Sequence, residues 1–237
     1  MTDDKPQSTM QDLPARKLLA ELLGAYVLVL VGGTAILAAT GSEGSAKVLA
    51  IAFGFGLALL AALYAFGEIS GGHYNPAVSL AMLLDGRMGL ALMIQYWVAQ
   101  ILGAILAGYT IRLATSQDAV GLTMTVWTNQ TPLGVTLDAW QAFLFEAVFT
   151  AIFVMVILAV TKSMSFSQTV FLAISLTLVV IHVALVPFTG GSVNPARSLG
   201  SSVPAGVWID QWVYWVAPLV GAVVGWGVHK ASTMEMK

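Results

Sequence analysis

Gly71 to Ser79 reads GGHYNPAVS and Gly190 to Ser198 reads GGSVNPARS, so one Gly-Gly-x-x-Asn-Pro-Ala-x-Ser element occurs twice, its asparagines 119 positions apart. A recurrence of this length points to a duplicated architecture. In each copy a helix-breaking glycine pair precedes Asn and then Pro. Proline at a first helical position lacks an N–H that would have no partner there, and asparagine before it is a favoured N-cap. Each element therefore predicts a loop that turns inward and starts a short helix, Asn75-Pro76-Ala77 in the first copy and Asn194-Pro195-Ala196 in the second.

The surrounding composition fixes the solvent. Of 237 residues, 58% are hydrophobic and 9% charged, and the mean hydropathy is +0.85, far outside soluble-domain norms. Lipid is the expected environment. A formal charge of −2 with scattered bases leaves no electrostatic footprint for nucleic acid. The absence of cysteine excludes disulfides, thiolate metal sites and cysteine nucleophiles. With no Gly-x-Ser-x-Gly, His-Glu-x-x-His or P-loop, neither an enzyme nor a cofactor is expected.

Six apolar runs come near the roughly 20 residues that cross a bilayer. They are Leu18 to Ala39, Val48 to Phe66, Gly89 to Leu113, Ala139 to Val160, Val170 to Phe188 and Trp212 to His229. Length and the internal counterpart of Glu21 argue against reading the first as a cleaved signal. One Asn-Pro-Ala element lies between the second and third runs, the other between the fifth and sixth. Each leaves room for about 10 residues of helix, or about 15 Å, half the membrane thickness. The repeat extends further: Tyr96-Trp97-Val98-Ala99 returns as Tyr214-Trp215-Val216-Ala217, and Glu21 in the first run is answered by Glu146 in the fourth.

The expected organisation is a polar tail (1–17), a first repeat (18–113), a connecting loop (114–138), a second repeat (139–229) and a short tail (230–237). Three spans per half is odd, so the second half inserts upside down relative to the first, about a pseudo-twofold axis in the membrane plane. The fold class is an all-α integral membrane protein of six transmembrane helices plus two re-entrant half-helices. Lys5, Arg16, Lys17, Arg87, Lys162, Lys230 and Lys237 share one side if both tails are cytoplasmic, with Lys47 and Arg112 facing out. That orientation obeys the positive-inside rule and makes 114–138 extracellular. The Asn129-Gln130-Thr131 sequon there is followed by Pro132 and is read as chance.

The paired caps have a chemistry of their own. A capping asparagine turns its carbonyl oxygen to the helix it starts, which leaves its amide hydrogens as outward donors. Inverted symmetry brings both caps to the midplane, and two helix N-termini together place about one positive unit there. Cations and hydronium are repelled. A water that accepts from both amides points its hydrogens away and relays no proton, so neutral passage without proton leak is expected.

Over residues 18 to 229 the chain resembles the aquaporins of the major intrinsic protein family, and within them the water-selective prokaryotic type. The two Asn-Pro-Ala boxes at this spacing carry the resemblance. It implies a pore through each protomer, a homotetramer as the usual assembly, and residence in a plasma or bacterial inner membrane. It also implies a narrow outer filter made of Phe55, 20 residues before Asn75, His182, 15 before Arg197, Gly191 in the second loop, and Arg197 itself. An arginine near the bilayer centre costs about 2.5–3.5 kcal/mol on insertion scales, which independently argues for a polar path beside it. A small polar constriction favours water over a three-carbon polyol, and Ser198 after Arg197 and Tyr214-Trp215 also resemble the water channels. Gly191 departs from the pattern, where a slightly larger residue is usual, and predicts a looser constriction that lets hydrogen peroxide or another tiny neutral solute leak.

Glu21 and Glu146 are expected to accept from backbone N–H groups of the re-entrant loops, which lipid cannot satisfy. His73 and Tyr74 are expected either along the inner half of the path or as stabilisers of the loop, with His73 counted among the loop supports. Gly103 with Ala107, and Gly221 with Gly225, permit close helix contact. Ser165, with Ser163 beside it, falls in a short cytoplasmic loop and reads as a solvated serine. Two other functions remain in view: a facilitator of glycerol, peroxide or ammonia, and an ion-coupled secondary carrier, against which stands the lack of paired midplane carboxylates.

Overall fold

Six helices of 22–27 residues, apolar enough in composition to cross a membrane, form the frame. A computed structural model describes residues 14–127, 131, 134–162 and 167–233. Asn129 and Gln130 of the sequon, Pro132 after it, the serines Ser163 and Ser165, and Lys5 and Lys237 lie outside the described residues. The long helices are α1 (Pro14–Ala38), α2 (Gly44–Ser70), α4 (Leu90–Ala114), α6 (Ala139–Val160), α7 (Gln168–Thr189) and α9 (Trp212–Thr233). Between them sit two half-helices, α3 (Pro76–Leu84) and α8 (Pro195–Ala205), and a short outer helix, α5 (Gln117–Leu122).

Several ends run past the apolar limits. α2 starts at Gly44 and continues to Ser70 through one wide π turn at Leu63–Gly67, and α9 continues to Thr233. Polar residues such as Lys47 and Glu68 cap or flank the membrane without interrupting a helix, so an apolar run underestimates its length. The helix α5 inside the 114–138 connection carries too weak an apolar pattern to be read from sequence. It is started by Ser116, whose Oγ accepts from Ala119 N–H at 3.0 Å. Asp138 and Gln141 form a reciprocal capping box at the start of α6.

Close packing follows the small residues. At Gly103 of α4 a β-carbon would strike the Leu22 carbonyl of α1, and at Gly221 and Gly225 of α9 it would strike the Ala147 and Ala151 carbonyls of α6. The first and third long helices of each half thus touch backbone to backbone. Gly108 of α4 meets the Gly200 carbonyl in the same way, which seats the half-helix α8 against the wall.

The two half-helices hold 9 and 11 residues. At 1.5 Å per residue they measure about 14 and 17 Å, so end to end they cross roughly the 30 Å hydrocarbon core that one full helix would span. Their N-termini are where they meet.

Candidate functional site

Each half-helix is capped as its sequence requires. Asn75 Oδ1 accepts from Ala77 N–H at 2.9 Å, and Asn194 Oδ1 accepts from the N–H groups of Ala196 and Arg197 at 3.0 and 3.2 Å. Both asparagines are extended at φ −154° and Pro76 and Pro195 open the helical turns. The amide nitrogens cross over: Asn75 Nδ2 donates to the Val193 carbonyl at 2.8 Å, and Asn194 Nδ2 donates to the Tyr74 carbonyl at 3.0 Å. This corrects the expectation that both hydrogens of each amide face the path. One N–H of each pair clamps the opposite loop, and one remains at the lumen wall, which both asparagines line.

The residues that receive these bonds are strained. Tyr74 and Val193 adopt φ of 48° and 46°, a left-handed conformation costly for any side chain and most of all for a β-branched one. The preceding glycines share that region, with φ of 97° and 66° at Gly71 and Gly72 and 77° and 63° at Gly190 and Gly191. Each loop thus holds three left-handed residues, the glycine pair and the residue two positions after it, which explains the glycines and could not have been foreseen for Val193.

A buried carboxylate holds each loop in this shape. Glu21 Oε1 accepts from His73 N–H at 3.0 Å and from the Ser70 hydroxyl at 2.6 Å, and Oε2 accepts from Tyr74 N–H and from Gln100 Nε2, both at 2.7 Å. Glu146 Oε1 accepts from Ser192 N–H at 3.0 Å and from the Thr189 hydroxyl at 2.7 Å, and Oε2 accepts from Val193 N–H at 2.8 Å. Ser70 and Thr189 occupy equivalent repeat positions. Their carbonyls in turn accept from the equivalent tyrosines, Tyr96 Oη at 2.7 Å and Tyr214 Oη at 3.0 Å.

Toward the side opposite the chain termini, three of the four filter candidates converge. The Phe55 and His182 rings stack with centroids 4.8 Å apart, and the Arg197 guanidinium carbon stands 4.8 Å from the Phe55 centroid. All three are at most 3% exposed. His182 Nδ1 lies 3.0 Å from the Leu178 carbonyl. A carbonyl only accepts, so Nδ1 carries the hydrogen and Nε2 of the neutral ring is an acceptor. Among the described residues that Nε2 has no partner, nor have Nε and Nη2 of Arg197. The constriction therefore presents unspent donors on one side and an unspent acceptor on the other, against one apolar ring.

Gly191 sits beside His182 and does not reach into the lumen. A β-carbon there would lie 3.4 Å from His182 Cδ2 and 3.7 Å from Nε2, in ordinary contact with the ring. The missing side chain thus leaves space at the histidine, while φ of 63° makes any substitution strained.

A continuous cavity runs from this cluster past Asn75 and Asn194 to Met82, His73 and Thr161, with Leu28, Val78, Phe153 and Ile157 on its apolar flank. The space open to water centres is about 30 Å³, and since about 10–15 Å³ holds one water, it suits single molecules in file. It leads into a wider mouth of about 220 Å³ bounded by Lys17, Glu68, His73 and Arg87. Arg87 is pinned there by Asp85 at 2.7 Å and by the Leu158 and Thr161 carbonyls, each at 3.1 Å.

His73 lines the path, its Nδ1 2.9 Å from Ser79 Oγ. Tyr74 does not line it, and of its two expected places it takes the one that packs the loop. Its left-handed backbone turns the ring into the groove at Gly24, where it is wholly buried, and its hydroxyl donates to the Ala62 carbonyl at 3.0 Å. Sequence reading passed over Gln100 and gave Ser79 and Ser198 no part in holding the loops. The last residue of the repeated motif pairs Ser79 with His73, and Ser198 with Ser192 at 2.7 Å, so its recurrence was the available signal.

Comparison with known proteins agrees with this geometry. The family profile described as Major intrinsic protein matches residues 8–229. The chain is 42% identical over 214 residues to Aquaporin Z of Brucella melitensis biotype 1, covering 88% of this chain and 94% of that protein. It is 41% identical over 212 residues to glycerol uptake facilitator protein-like 6 of Lactiplantibacillus plantarum, with coverage of 88% and 94%. Among solved structures, the X-ray structure of the aquaglyceroporin from Plasmodium falciparum superposes with a TM-score of 0.80 at 24% identity, covering 93% of this chain and 98% of that one, a likeness of fold. A profile match across nearly the whole length, with relatives at this identity and coverage, places the chain in the major intrinsic protein family.

Proposed function

We infer that the chain is a passive transmembrane water channel that excludes ions and protons. The observation that carries this reading is the single-file cavity running from the Phe55–His182–Arg197 cluster to the paired asparagines. At the cluster a molecule must both donate to His182 Nε2 and accept from Arg197, and water does both at minimal size. At the asparagines, two helix N-termini and two amide donors favour an oxygen and disfavour a cation. In this reading Phe55, His182, Gly191 and Arg197 form the filter. Asn75, Pro76, Ala77, Asn194, Pro195 and Ala196 form the central station, with Glu21, Glu146 and His73 supporting the loops. The Aquaporin Z relatives support water as the permeant.

The tail side is assigned to the cytoplasm on charge, since Arg16, Lys17, Arg87, Lys162 and Lys230 gather there and Lys47 and Arg112 lie opposite. Four copies, each with its own pore, in a plasma or bacterial inner membrane complete the proposal. One observation favours a second permeant: the space left beside His182 by Gly191, together with the relative named as a glycerol uptake facilitator.

Stopped-flow light scattering on proteoliposomes decides between them. A sucrose jump is expected to give shrinkage at least about tenfold faster than in protein-free vesicles, and a glycerol jump no re-swelling beyond theirs, because the constriction passes one small molecule at a time. Rapid glycerol re-swelling would move the chain to the polyol-conducting reading.

A further inference from the structure

The filter arginine is held in place from outside the helical frame. Arg197 Nη1 donates to the Thr123 carbonyl at 2.9 Å, and its other bond, to Ser201 Oγ, is long at 3.4 Å. A guanidinium on a flexible stem goes where its best acceptor is. Thr123 belongs to the segment 123–126 that follows α5, with no regular structure of its own beyond the turn. The position of the arginine is therefore only as fixed as that segment.

Its start is tied to α5, where Thr123 N–H and Oγ1 donate to the Val120 carbonyl at 3.0 and 2.7 Å, and three further contacts hold the stretch beyond it. Thr125 Oγ1 and Ser198 Oγ are 2.8 Å apart, and a β-carbon on Gly190 would come within 3.4 Å of the Val126 backbone. The third is Gln211, whose Nε2 donates to the Thr125 carbonyl at 3.0 Å. Gln211 stands in the turn just before α9, is 1% exposed, and has an Oε1 with no partner among the described residues. A buried amide left half satisfied is unfavourable for stability alone. Its one well-placed bond falls on the segment that orients the arginine.

We propose that Gln211 is a positioning residue for the filter: by fixing the Thr125 carbonyl it holds the Thr123 carbonyl in register, and so keeps the Arg197 guanidinium across the pore without touching the permeant. The proposal rests on Arg197 being the filter cation. It makes the solute cut-off of the pore depend on a side chain that lies outside the lumen.

The test uses the full chain in proteoliposomes, with glycerol and water permeabilities measured on the same vesicles for Gln211→Leu and for Gln211→Glu, which keeps the shape and removes the donor. The glycerol-to-water ratio is expected to rise about tenfold in either, the scale set by one well-made hydrogen bond. In an Arg197→Ala background the same substitution should add less than about twofold, since nothing remains to be positioned. If Gln211→Leu does not reconstitute in folded form, Gln211→Glu carries the test. An unchanged ratio, or an effect that persists undiminished without Arg197, overturns the proposal. The water permeability of the unmodified chain is read separately: its absence would defeat the channel reading itself.

Discussion

Glu146→Leu is expected to abolish water permeability by preventing the second loop from holding its shape. Leucine has nearly the size of glutamate but accepts nothing, so the N–H groups of Ser192 and Val193 and the Thr189 hydroxyl lose their partner together. Each buried polar group left unpaired costs about 1–3 kcal/mol. Three of them amount to several kcal/mol, comparable with the whole stability of a typical domain, about 5–15 kcal/mol. The loop also carries residues in left-handed conformations that this carboxylate helps to over-determine. Protein yield after size exclusion, thermal unfolding in detergent and osmotic permeability should all fall. Glu146→Gln, which retains one acceptor oxygen but sets an NH2 group against a backbone donor, should fall less. Wild-type permeability in Glu146→Leu would show that the loop is held by other means.

Arg197→Ala is expected to leave water flow intact and to destroy selectivity. The guanidinium fills the space against the Phe55 ring, and its removal leaves His182 Nε2 facing a wider opening with no opposing donor. It also removes a full positive charge from a low-dielectric wall, where charge is only weakly screened. Glycerol permeability should rise at least about tenfold and cation leak should become measurable, as expected when both the steric and the electrostatic barrier of a pore are lowered. Stability should change little, because the side chain lines the cavity and gives the fold one short hydrogen bond, to the Thr123 carbonyl at 2.9 Å. Glycerol exclusion that survives the substitution would remove Arg197 from the filter.

Much of this was legible in the residues. The motif GGxxNPAxS named both capped half-helices, because Asn before Pro has one good structural use in an apolar chain. The apolar runs located six spans, since few other structures use that length of hydrocarbon-loving residues. Helix ends were harder: Gly44 to Lys47 and Glu68 to Ser70 are helical yet polar, and hydropathy cannot see a helix where it leaves the lipid. The crossed asparagine bonds were not legible at all. They depend on left-handed backbone at Tyr74 and Val193, and nothing about tyrosine or valine announces that conformation. The place of Tyr74, on the path or in the loop packing, stayed open for the same reason, because its ring direction follows from a φ that tertiary contacts impose. Gln100 and Gln211 escaped notice because each acts on a segment distant in sequence, 79 positions away for Gln100 to Glu21 and 86 for Gln211 to Thr125.

The claim at the centre is that two opposed helix tips, each with an amide donor and partial positive charge, let water through and stop protons. The most direct measurement follows water and proton flux in parallel, in one set of vesicles loaded with a pH-sensitive dye, for the unmodified chain and for Asn194→Asp. Aspartate keeps the oxygen that caps α8 and offsets the positive field with a negative charge. Fast water flux with proton flux no greater than in protein-free vesicles is predicted for the unmodified chain, and added proton flux for Asn194→Asp. Proton flux that accompanies water in the unmodified chain, or equal proton tightness in both, would contradict it.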